Sequence, residues 1–247
     1  MYPSLFNDVF GPIMIGPSSS ACAGPTRIGQ IARGVCGGTP AYYRICYVPG
    51  SGRASFRVGM ATNLGLIAGV LGWGPEDARL YHAQEEAEKQ GMSVEVVLED
   101  IPGNTNPNAM LLTMRNAAVE TSTILGHSVG GGTIAILEID GFPVEDIKGE
   151  EYVLLVQYRS APGFDRQILS AIEDRIPSFH DRIAAGLSKP SVTYVIISKS
   201  TGGPRDFQLH LTPYPAPIIY PLISISHIFI SMLYFLNLSS QIWHHVL

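Results

Sequence analysis

Gly16-Pro17 followed by Ser18-Ser19-Ser20 constrains this chain more than any other stretch. A Gly-Pro pair ends regular structure. Three serines then supply oxygens of the kind that cap a helix. Gly11 to Ile15 forms an extended apolar lead-in. The residues after the serines predict a helix through Arg27, Ile28, Ile31 and Ala32, stopping near Gly34. The N-terminus of such a helix presents unpaired N–H groups and a positive dipole end, which suit a carboxylate or phosphate. The hydroxyls add donors and acceptors at the same place. The same residues equally describe a well-capped helix with no ligand.

The remaining pattern predicts an α+β unit. Ala41 to Val48 is rich in Tyr, Ile and Val and reads as a strand. Pro49-Gly50-Ser51-Gly52 reads as a flexible loop, with Ser55 to Val58 continuing the sheet. Leu64, Ile67, Ala68 and Leu71 fall at helical spacing within Ala61 to Leu71. A third helix is expected in the later half of Glu76 to Gln90. Strands are expected at Ser93 to Leu98, Ala109 to Met114, Val119 to Leu125 and Thr133 to Ile139. The last two are joined by the glycine-rich Gly126 to Gly132, whose Gly130-Gly131-Gly132 reads first as a hairpin turn. Ile139 to Phe142 closes the unit.

Composition narrows the function classes. Of 247 residues, 46% are hydrophobic and 15% charged, and the net charge is −5. There is no basic run, which argues against a nucleic-acid surface. Cys22, Cys36 and Cys46 are odd in number and irregular in spacing, so no disulfide framework is expected. Their spacing also matches no common iron–sulfur ligand pattern. With no basic n-region before an apolar core, no secretory signal is expected and a reducing cytoplasmic setting follows.

Gly-Pro-Ser-Ser-Ser, then Ala-Gly, then Arg-Ile-Gly, closely resembles the opening of the beta module of iron–sulfur-dependent L-serine dehydratases (L-serine ammonia-lyases). The likeness runs from about Phe6 to Leu211, and it departs at the proton-transfer positions. The family has His-Thr after the serines; this chain has Ala21-Cys22. The family has Gly-His-x-Thr-Asp before a Gly-rich helix; here stand Gly59-Met60-Ala61-Thr62-Asn63. The family has His-Pro-Asn; here stand Asn106-Pro107-Asn108. The resemblance implies a serine-dehydratase beta-like (allosteric-substrate-binding-like) module over 1–148, then a partial ACT-like ferredoxin-type unit over 149–212. Tyr152 to Tyr158 gives that unit's first strand. Pro162-Gly163 is its turn, and Phe164, Ile168 and Ile172 mark its helix. Val192 to Ser198 and Phe207 to Leu211 are its next strands.

Residues 213–247 form an apolar tail, and no residue after Asp206 is charged except His. Ile218 to Leu238 meets the length criterion for a membrane span. It also reads as packing in place of missing ACT elements, or as a segment of a misread gene under no selection. The abrupt loss of charge, where a domain stops half-finished, favours the last.

The family chemistry removes an α-proton from L-serine and expels the hydroxyl, giving pyruvate and ammonia. The resemblance implies a 4Fe-4S cluster held by a separate alpha module and none bound by this chain. Alanine and methionine transfer no protons, and each lost acid or base removes ~10²–10⁴-fold in rate. Cys22 at a helix N-terminus is a candidate thiolate nucleophile, with His127 as its base. The plainer alternative is a small buried Cys22 and a solvated loop His127. Ser18, Ser19, Ser20, Thr62, Asn63, Asn106, Asn108 and Ser128 are the expected substrate-binding residues. Two functions follow. One is a lyase-family protein with altered or lost standard activity. The other is a non-catalytic binder of a small amino or hydroxy acid, or a subunit-assembly protein. The expected partners are that acid and an alpha-type catalytic subunit, with a homodimer as the expected assembly.

Overall fold

The computed structural model describes residues 13–147, 152–158, 193–199 and 229–233. They fall into two compact units. The first is a six-stranded mixed sheet with helices; the second contributes a three-stranded sheet.

The serines open the first helical run as expected. Ser18 is extended (φ −152°, ψ 130°) and its Oγ accepts the Ala21 N–H. The chain then makes a wide turn at Ser19–Ala23, in which the Gly24 N–H reaches back five residues to the Ser19 carbonyl. Helix α1 (Gly24–Cys36) follows directly and ends at Gly37 in the left-handed region (φ 77°). Strand β1 (Tyr42–Tyr47) follows, then a short helix α2 (Gly52–Phe56) and helix α3 (Thr62–Val70). Helix α4 (Ala83–Lys89) precedes β2 (Ser93–Leu98), β3 (Met110–Arg115), β4 (Thr121–Gly130), β5 (Thr133–Ile139) and β6 (Phe142–Ile147). The strand order is β2-β1-β3-β4-β5-β6. Only the β1–β2 pair is parallel, and α2, α3 and α4 fill that connection.

The core lies on one face of this sheet. Register sets Tyr43 opposite Met114, Ile45 opposite Leu112 and Tyr47 opposite Met110, and all six side chains are fully buried. Helix α1 packs on β3, β4 and β5, burying Ile28, Ile31, Ala32 and Val35 at helical spacing. Each large apolar side chain so buried stabilises the fold by roughly 1.5–3 kcal/mol. Helix α3 is apolar nearly all round and is buried nearly all round, as a helix enclosed by neighbours must be. It can lie that close to α1 because both carry glycine at the crossing. A Cβ at Gly29 would overlap the Leu66 carbonyl, and one at Gly69 would overlap the Thr26 carbonyl. A smaller cluster of Cys46, Ile101, Ala109 and Leu125 forms a second core.

Three sequence expectations need correction. Ser55 to Val58 does not extend the sheet. Ser51 accepts the Ala54 N–H at 3.0 Å and starts α2, while both sides of β1 are taken by β2 and β3. Gly126 to Gly132 is not one loop. Strand β4 runs on to Gly130, and Gly131-Gly132 alone turn into β5, with Gly130 opposite Thr133. Ile139 to Phe142 does not close the unit. Asp140 and Gly141, both at positive φ (53° and 73°), form a tight turn into a sixth strand, and Asp140 Oδ1 accepts the Thr123 N–H at 2.6 Å.

In the second unit β7 (Tyr152–Tyr158) lies between β8 (Thr193–Lys199) and β9 (Phe229–Leu233), antiparallel to both. The expected strands at Tyr152 to Tyr158 and Val192 to Ser198 are present, the second displaced by one residue. Part of the apolar tail is thus a strand. Among the described residues no helix is long and apolar enough to cross a membrane. The N-terminal Met1 to Phe10, the helix expected at Phe164 to Ile172, the strand expected at Phe207 to Leu211 and the rest of the tail lie outside the described residues.

Candidate functional site

The serine turn is braced from three sides. From α3, Thr62 Oγ1 donates to the Ala21 carbonyl at 2.6 Å. From α2, Arg53 Nη1 donates to the Ser20 carbonyl at 2.8 Å. From β4, Ser128 Oγ packs against Gly24 so closely that a Cβ there would overlap it. Within the turn, Ser18 Oγ and Ser20 Oγ are 3.3 Å apart. Ser18, Ser19 and Ser20 stay partly exposed, whereas Ala21, Cys22 and Ala23 are buried. Hydroxyls and peptide groups therefore face outward where the helical run starts.

Neighbouring elements bring further polar groups. Tyr47 is buried on β1, and its Oη donates to Asn63 Oδ1 at 2.7 Å at the start of α3. Burial holds the Tyr47 phenol well above its ordinary range, against the pull of Arg53 and Arg57. Helix α3 begins from Ala61 in the left-handed region (φ 57°), a conformation uncommon for alanine. Asn106 lies in an Asx turn: its Oδ1 accepts the Asn108 N–H at 2.9 Å, and its own N–H goes to Asn104 Oδ1 at 3.1 Å. Asn108 Oδ1 lies 3.8 Å from where a Cβ would stand on Gly52, beside Arg53.

Two nitrogens at this end of the sheet are buried without a hydrogen-bond partner among the described residues, Arg53 Nε and His127 Nδ1. Burial lowers the pKa of both groups, and the Arg53 charge lowers His127 further. An unmade hydrogen bond at a buried group costs about 1–3 kcal/mol. His127 is therefore a half-buried strand residue and not a solvated loop residue.

The structure thus joins Ser18, Ser20, Thr62 and Ser128 through the turn and pairs Asn63 with Tyr47, while Asn106 and Asn108 stay in their own loop turn, Asn108 near Gly52. Thr62 and Ser128 are spent on the backbone, with Ser128 Oγ donating to the Thr133 carbonyl at 3.3 Å. The expected Cys22–His127 pair is not formed by hydrogen bonding. Cys22 is fully buried, with Sγ packed where a Gly16 side chain would stand. Burial pushes its thiol up to about 11, despite a lowering contribution from Thr26. Burial therefore keeps the thiol protonated at this helix start. Arg53 and Tyr47 were not anticipated from sequence. The available signal was Ser51-Gly52-Arg53, a capping serine and a lone basic residue directly after a strand.

Cys22, Cys36 and Cys46 stand on the serine turn, α1 and β1, all buried as free thiols. Burial raises the pKa of each free thiol. Among the described residues no group of three His, Cys, Asp or Glu is placed to hold a metal.

Fold and site define an α+β protein in which a helix-opening serine turn meets amide, phenol and guanidinium groups at one end of a mixed sheet. No family model matches the chain. It is 35% identical over 163 residues to the probable L-serine dehydratase, beta chain, of Bacillus subtilis (strain 168), covering 66% of this chain and 71% of that one. It is 29% identical over 179 residues to the L-serine dehydratase, beta chain, of Peptoniphilus asaccharolyticus, covering 71% and 79%. The chain belongs to the L-serine dehydratase beta-chain family, as a divergent member.

Proposed function

We propose that this chain is a beta-type subunit that binds a small amino or hydroxy acid at the serine turn and works beside an alpha-type subunit. The observation carrying this reading is the meeting of Ser18, Ser20, Arg53 and the Tyr47–Asn63 pair at one end of the sheet. Those groups bind and orient. None of them is a base poised near neutral pH, and Ala21, Met60 and Asn106 stand where the resemblance calls for histidine. With Cys22 held as a thiol, the standard serine ammonia-lyase proton transfers do not come from this set. Binding and assembly are therefore its role, and dehydration by this chain is altered or lost. A 4Fe-4S cluster belongs, in this reading, to the alpha module. A beta module followed by a truncated ACT-like unit fits β7 lying between two antiparallel neighbours.

Thermal unfolding of the full chain with L-serine, L-threonine, D-glycerate and L-lactate tests this. Ligand at one hundred times Kd should stabilise the protein by about 2.7 kcal/mol. A shift with one acid and no pyruvate release is the expected result. No shift with any acid overturns the binding role.

A further inference from the structure

We propose that β2 is the pairing edge for a second copy of this chain, with the two β2 strands running antiparallel about a two-fold axis at Val96 and joining two six-stranded sheets into one.

Strand β2 ends its sheet, with β1 on one side and no strand on the other among the described residues. Its hydrogen-bonding sense is fixed. The Ser93 N–H goes to the Ala41 carbonyl at 2.9 Å, and the Glu99 N–H goes to the Tyr47 carbonyl at 3.1 Å. Alternate residues of a strand turn their backbone groups to the same neighbour, so the odd-numbered residues serve β1. The N–H and C=O groups of Val94, Val96 and Leu98 turn outward, and a row of such groups is a template for another strand.

The side chains leave that edge open. Val94, Val96 and Leu98 stand in register with Tyr43, Ile45 and Tyr47, the fully buried core residues of β1. Yet Val96 is 38% exposed and Leu98 44%. The apolar layer thus reaches the edge uncovered. The single charged residue of β2, Glu95, is drawn back over β1, where Tyr42 donates to it and Arg44 Nε lies 3.7 Å away. The opposite edge strand, β6, carries Pro143, Glu145 and Asp146, residue types that discourage strand addition.

A second copy fits because one register meets the backbone, apolar and charge requirements together. With Val96 opposite Val96 of the second copy, Val94 falls opposite Leu98 and Leu98 opposite Val94. Three hydrogen-bonded pairs form, and the apolar rows of the two core faces become continuous. Glu95 then faces Val97. Both neighbouring registers set carboxylates opposite one another, which is destabilising. Placing Val94 opposite Val96 brings Glu95 against Glu95, and placing Val96 opposite Leu98 brings Glu95 against Glu99.

Sedimentation equilibrium of the full chain tests this, and a dimer is the expected result. Val96→Lys sets two ammonium groups face to face at the axis and should weaken that dimer on the order of a hundredfold. A second measurement does not depend on how that variant folds. Paired residues at the axis stand about 5.5 Å apart, within reach of a short bis-alkylating reagent. Val96→Cys should therefore be bridged between chains. Leu98→Cys, four residues from its own copy in this register, should not be, and the buried native cysteines leave wild type unbridged. A monomeric wild type at its highest soluble concentration overturns the proposal. So does a dimer that folded Val96→Lys leaves unweakened and that Val96→Cys does not bridge. Bridging at Leu98→Cys as readily as at Val96→Cys overturns the register. None of these results bears on acid binding at the serine turn.

Discussion

Where α1 crosses α3, Gly29 and Gly69 set backbone against backbone with no side chain between them. At the serine-turn end of the sheet, Arg53 Nε and His127 Nδ1 are buried without a hydrogen-bond partner among the described residues. The two regions share the same helical run. Its first turn carries the serines, and its body carries the crossing. One region is closed by dispersion, backbone against backbone. The other is polar, partly exposed and short of acceptors.

The largest way to break this contrast is Gly69→Val. Its side chain would be driven into the Thr26 carbonyl and the Gln30 N–H region. Overpacking of a tight core typically costs 1–3 kcal/mol and more where backbone must move, so a loss of about 3 kcal/mol or more is expected in urea unfolding. A melting point within a degree of wild type would show that the helices are not held this closely.

Cys22 sits on the border between the regions, and its pH dependence sharpens the comparison. Its folded pKa of about 11 lies above the ordinary value of 9.0. A raised pKa means the folded state keeps the proton longer than the unfolded state. Its contribution is complete below pH 9 and is lost as pH rises from 9 to 11. The full shift corresponds to about 3 kcal/mol. Cys22→Ala should therefore lose less stability than wild type across that interval. Parallel stability curves for the two proteins would contradict a buried, protonated thiol.

The smallest effect is expected at Ser18. Its Oγ caps the Ala21 N–H at 3.1 Å, and removing such a cap costs about 1 kcal/mol. Ser18→Ala should lower stability by that amount, while Ser18→Asp, which keeps an accepting oxygen, should hold it. Equal losses in both variants would mean that Ser18 contributes through packing and not through the cap.

Much of this was legible in the local pattern. The Gly-Pro break, the capping serine, the periodic apolar residues of α1 and α3 and the β-rich runs of β1, β3 and β5 declared themselves. Each depends on residues close in sequence. Ser55 to Val58 misled because Phe and Val are common in strands, and a five-residue helix has too few positions to show a period. The run Gly126 to Gly132 misled because glycine is read as loop, while β4 tolerates Gly126 where the Ile136 side chain fills the space above it.

By itself the sequence determined the helix that opens on serines, the α+β class and the replacement of three histidines expected from the family. Those follow from residue identity and short-range spacing, which survive without any knowledge of the fold. Tertiary structure alone decided that Arg53 reaches the Ser20 carbonyl, that Tyr47 meets Asn63, and that Cys22 is sealed against Gly16. Hydrogen bonding across 33 residues and the desolvation of a thiol depend on which elements pack together. That packing arises when α1, α2, α3 and β4 converge, and no window of the chain contains all four.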